Sequence, residues 1–131
     1  MAISVVRLGR PRLEGEGTRL GTVRRPPRGV RKTDFAKHDW YDVWVPDVAP
    51  SAQLVSWALA SPWTDERWKR YVREYRREMK EPHAQRLISM LAVMSRDANF
   101  SIGCYCEDET RCHRALLTEL LEEAGAEIKG R

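Results

Sequence analysis

Short β-branched runs alternate along this chain with segments of helical periodicity, an order that points to a layered α/β fold with a mainly parallel sheet flanked by helices. Residues 4–8 (Ser-Val-Val-Arg-Leu) and 19–23 (Arg-Leu-Gly-Thr-Val) read as strands, separated by a loop containing Pro11, Gly15 and Gly17. Residues 41–45 form a weaker third strand or a bridging segment. Ser51 is a good N-cap for a helix whose buried face is Leu54, Val55, Trp57 and Ala58, broken at 61–64. Over 65–80, Trp68, Tyr71, Val72, Tyr75 and Met79 fall on one helical stripe with basic residues around it. Pro82 sits at a first-turn position and opens a third helix to about residue 95. Residues 99–105 form a strand rich in small and apolar side chains. A fourth helix is expected from Thr110, with Leu116, Leu117, Leu120 and Leu121 inward and Gly125 as its stop. Residues 126–128 add a last short strand.

The 131 residues fit one small domain, 1–131. No apolar run reaches the about 18 residues that cross a bilayer, and the N-terminus lacks the longer apolar stretch of a secretory signal. The expectation is a cytoplasmic protein with no membrane partner. Charge is uneven: residues 1–40 hold ten Lys/Arg against four Asp/Glu, a local +6, while the other 91 hold thirteen against fifteen, a local −2. The N-terminal part therefore suits an anionic partner. Arg24, Arg25 and Arg28 crowd a loop stiffened by Pro26 and Pro27, which remove two backbone donors.

The densest chemistry lies between residues 102 and 114. The chain has three cysteines, all within 104–112, an odd number that cannot close a disulfide framework. In a reducing compartment they are free, catalytic or metal-binding. A helix opening near Thr110 would place Arg111, His113 and Arg114 in its first turn, where unpaired N–H groups and the helix dipole favour an anion and a thiolate. Glu107, Asp108 and Glu109 oppose that reading, because they repel an anion or serve as the helix cap themselves. Metal is disfavoured: Cys-x-Cys-x5-Cys-His lacks the usual Cys-x2-Cys knuckle, and neighbouring residues on a helix diverge by about 100°. A cysteine-dependent phosphatase would need an arginine where Thr110 or Cys112 stands. Thiol redox chemistry between Cys106 and Cys112 stays open.

A strand ending in cysteine, an acidic stretch, and Cys112-His113-Arg114 at a helix start together resemble the domain-of-unknown-function 488 family, in its short form. Pro27-Arg28-Gly29, Ala49-Pro50-Ser51 and the Trp68, Tyr71, Tyr75 helix extend the resemblance over nearly the whole chain. The resemblance implies an α/β sandwich and the site, but no reaction. Family members commonly carry an aspartate before the arginine matching Arg24; Val23 stands there, so no acid, base or metal role is carried over.

The functional expectation is an anionic, phosphate-like small-molecule ligand held by Arg24, Arg28, Arg111 and Arg114. Cys106 or Cys112 would be the reactive thiol and His113 a proton carrier. No metal is expected and no cofactor is specified. The rival readings are a nucleic-acid module using the basic N-terminal segment, a thiol-redox or metal-binding protein, and a purely structural motif.

Overall fold

The computed structural model describes residues 1–130; Arg131 lies outside the described residues. Four strands, β1 (Ile3–Arg7), β2 (Thr18–Gly21), β3 (Val43–Trp44) and β4 (Phe100–Cys104), form one sheet in the order β1-β4-β2-β3. All three pairings are parallel. The fold is α/β, as its alternating elements demand. β4 is buried at every position, as befits a strand flanked on both sides. Residues 126–128 contribute only a single bridge, Ile3 to Ile128.

Helices α1 (Ala52–Leu59), α2 (Asp65–Glu78), α3 (Pro82–Met94) and α4 (His113–Glu123) follow the apolar stripes of the sequence. Ser51 caps α1 by accepting from the Leu54 amide, and Thr64 caps α2 by accepting from Arg67. Pro82 occupies the first turn of α3. Leu54, Tyr71, Tyr75, Ile88, Leu91, Leu117 and Leu121 pack in one core cluster with Ile3, Phe100 and Ile102. Because strand side chains alternate, that cluster covers one face of the sheet.

The opposite face carries Arg19 of β2 and Ser101 of β4, which are register partners. Both engage Glu16: Arg19 Nε donates to its Oε2 at 2.7 Å and Ser101 Oγ to the same oxygen at 2.5 Å. Arg19 and Glu16 are 0% and 2% exposed. Arg19 also donates to the carbonyls of Arg10 and Asp39, at 2.8 and 2.7 Å, so every part of this ion pair is partnered. Gly17 lets the loop turn back here. Its φ is +76°, and a Cβ would lie 2.0 Å from the Asn99 carbonyl oxygen. No helix among the described residues is long and apolar enough to cross a membrane.

Candidate functional site

In a parallel sheet, ligands bind beyond the carboxyl ends of the strands. β4 is central, so its exit loop lies between the exits of β1 and β2. The chain after β2 stays attached: Thr22 donates from both N and Oγ1 to the Gly103 carbonyl, at 3.1 and 2.9 Å. Tyr105, just past β4, donates its hydroxyl to the Arg25 carbonyl at 2.8 Å. Arg7, the last residue of β1, donates Nε to the Tyr105 carbonyl at 3.2 Å and approaches Glu107 at 3.4 Å. The basic Pro-Pro loop and the cysteine turn therefore lie side by side.

Between them is an open groove of about 850 Å³, whose polar lining is Arg7, Arg10, Arg25, Arg28 and Glu107, with Trp40 and Tyr105 as aromatic walls. Four arginines face one carboxylate. Cys106 is not a lining residue itself, but its chain neighbours Tyr105 and Glu107 are.

The three cysteines converge. The Sγ atoms of Cys104, Cys106 and Cys112 all lie within 4.8 Å of one another, with Cys104 and Cys112 at 2.6 Å. Cys104 and Cys112 are buried and Cys106 is exposed. The neighbouring Cys104 and Cys112 thiols favour the Cys106 thiolate; helped by the positive charge of Arg114, they overcome desolvation and lower its pKa to about 3. The donors shift the other way. Cys104 is pushed up to about 12, chiefly by its bond to Cys106. Cys112 rises well above the usual thiol range through its bonds to Cys104 and Cys106, together with burial. These opposite shifts favour ionisation at the exposed sulfur over the two buried ones.

The helix beyond the turn begins at His113, not at Thr110. Asp108 accepts from both the amide and the hydroxyl of Thr110, at 2.9 and 2.6 Å, closing a local turn before the helix starts. Cys112 is the N-cap, with extended backbone (φ −148°) and no capping bond from its side chain. His113 is buried, and burial lowers its pKa despite the bond to Thr22, so the ring is neutral. Its Nε2 lies 2.5 Å from the Thr22 carbonyl. A carbonyl only accepts, so Nε2 carries the hydrogen and Nδ1 is the free acceptor, 3.9 Å from Cys112 Sγ.

The four arginines named from the sequence separate. Arg28 lines the groove. Arg24 instead donates to the carbonyls of Pro50, Pro46 and Ala49, at 2.9, 3.1 and 3.1 Å, and ties down the entry to α1. Arg111 lies before the helix and pairs with Asp65 at 2.7 Å. Arg114 is 3% exposed and joins β1 to the cysteine turn, donating to Val6 O at 2.8 Å and Cys106 O at 2.7 Å. Its Nε has no partner among the described residues. Arg7, Arg10 and Arg25 take the groove positions that sequence reading left unassigned. The signal for Arg7 and Arg10 was available, since Arg7 ends β1 and Arg10 follows it.

Residues 3–125 match the family described as DUF488-N3a, the active DUF488-N3 subclade. No curated protein matches the chain, and no solved structure does so either.

Proposed function

The chain belongs to the DUF488 family, and from its groove and thiol cluster we propose that it binds an anionic, phosphate-like small molecule and acts on it through Cys106. The observation that carries this reading is the one exposed cysteine, backed by two buried thiols, whose chain neighbours Tyr105 and Glu107 line an arginine-rich groove. Arg10, Arg25 and Arg28 supply the charge that draws and orients the anion, with Arg7 offsetting Glu107 beside them. Cys104 and Cys112 keep Cys106 ionised. Arg114, its guanidinium bonded to the Cys106 carbonyl, positions the turn and adds positive charge near the sulfur. Of the acids that argued against an anion site, Asp108 is bonded to Thr110, and Glu107 is offset within the groove by Arg7.

A nucleic-acid partner is less well supported, because several basic residues of the first 40 are taken internally. Arg12 pairs with Asp42 at 2.8 Å, and Arg19 and Arg24 are bound to protein acceptors.

Thermal unfolding in inorganic phosphate, against chloride at equal ionic strength, tests the anion site. Phosphate at ten times its Kd should stabilise the protein by about 1.4 kcal/mol. The Arg25→Ala/Arg28→Ala variant should lose that gain. Equal stabilisation of wild type and variant contradicts the assignment.

A further inference from the structure

We propose that Cys106 and Cys112 act as a two-thiol couple that reduces an anionic low-molecular-weight disulfide, with His113 as the base that frees Cys112. The inference rests on the reading of Cys106 as the nucleophile beside the arginine groove and adds to it a substrate class and a second step.

The three sulfurs differ in a way that assigns the steps. Cys106 is the exposed one and meets the substrate. Cys104 ends the central strand, its carbonyl accepting from the Leu8 amide at 2.9 Å, so its backbone is fixed by sheet pairing. A bridge from Cys104 to Cys106 would also close a very short loop across a single residue. Cys112 is at the N-cap with no capping bond to break, and its sulfur, like that of Cys104, lies within 4.8 Å of that of Cys106. It is also the thiol with a ring nitrogen beside it, His113 Nδ1 at 3.9 Å, left with a free lone pair by the bond from Nε2 to Thr22.

In the first step the Cys106 thiolate attacks one sulfur of the substrate RS–SR. A Cys106–SR bond forms, the RS–SR bond breaks, and one RS⁻ leaves. The negative charge on Cys106 is then gone. That charge, and the bond it made, had helped to hold the Cys112 proton. In the second step Cys112 gives its proton to His113 Nδ1 and attacks the Cys106 sulfur. The Cys106–Cys112 bond forms and the second RS⁻ is expelled, taking the proton from His113 to leave as RSH. Two electrons pass from the protein dithiol to the disulfide, and an external dithiol returns the protein to its reduced form by the same exchange chemistry. The arginines favour an anionic RS–SR over a cationic one.

The test uses the reduced full chain with oxidised glutathione, which is anionic, and cystamine, which is cationic. Wild type should lose two of its three free thiols, and mass mapping should place the disulfide between Cys106 and Cys112. Cys112→Ser and Cys112→Ala should stop at a stable mixed disulfide on Cys106, and Cys106→Ser should lose no thiol. Oxidised glutathione should react about tenfold faster than cystamine at low salt, a modest case of electrostatic steering. A wild type that stops at the mixed disulfide, or a mapped bridge that involves Cys104, overturns the couple while leaving Cys106 as nucleophile in place. Cystamine reacting as fast as oxidised glutathione overturns the anionic substrate class.

Discussion

Replacing Glu16 by glutamine is expected to destabilise the protein by about 3–5 kcal/mol, read as a fall in the urea midpoint, because it leaves the Arg19 guanidinium buried without its counter-charge. The pair lies beneath the sheet, with Arg19 wholly buried, and it joins β2, β4 and the loop at residues 10–17 through one carboxylate. Burial alone would raise the Glu16 pKa. Bonds from Arg19, Ser101 and the Leu13 amide outweigh it and hold the carboxyl near 2, below its ordinary 4.5. A depressed carboxyl stabilises the fold above its unfolded pKa and ceases to do so as pH falls through its folded one. Wild type should therefore lose about 3 kcal/mol between pH 4.5 and 2 from this group, and Glu16→Gln should lack that part of the acid transition. Equal acid midpoints for the two proteins would contradict the account of the pair.

Cys106→Ser should abolish fast alkylation by iodoacetamide, slowing loss of reagent-accessible thiol by at least about 100-fold, since Cys104 and Cys112 are buried. In wild type the rate at Cys106 should stay nearly level from pH 8 down to 5, because its thiolate persists until pH approaches its pKa of about 3. An ordinary thiol loses about tenfold in rate per pH unit below 8.5. Intrinsic nucleophilicity falls with pKa, so the rate at pH 8 need not exceed that of a simple thiol. The distinguishing feature is the flat profile. A tenfold fall per pH unit from pH 8 would contradict the lowered pKa of Cys106.

Elements with strong local signals were legible from the residues alone. Ser51, the Trp68 to Met79 stripe and Pro82 each mark a helix that stands within a residue or two of where its pattern places it. The start of α4 was misplaced by three residues. Thr110 is a good cap by type, but its hydroxyl bonds Asp108, and Arg111 is drawn to Asp65 on α2, a contact 46 positions away that local pattern does not encode. Distance along the chain hid the rest of the site as well. Arg24 and Arg114 have the right charge for an anion, yet their partners are backbone carbonyls brought near only by folding. The Glu16–Arg19 pair was hidden too, since a charged residue in a glycine-rich loop reads as solvated until Ser101 closes over it. The convergence of the Pro-Pro loop with the cysteine turn was legible, because both follow carboxyl ends of strands, and the 4-2 pairing of the sheet makes them neighbours.

The central claim, that Cys106 reacts with anions gathered by the arginine groove, is tested most directly by comparing iodoacetate with iodoacetamide on the same protein. A free thiolate repels the charged reagent, so a small-molecule thiol reacts faster with the neutral one. At low ionic strength wild type should reverse that order. The reversal should vanish in Arg25→Ala/Arg28→Ala, and in about 1 M salt, where the screening length is only about 3 Å. A wild-type preference for iodoacetamide equal to that of free cysteine would contradict the claim.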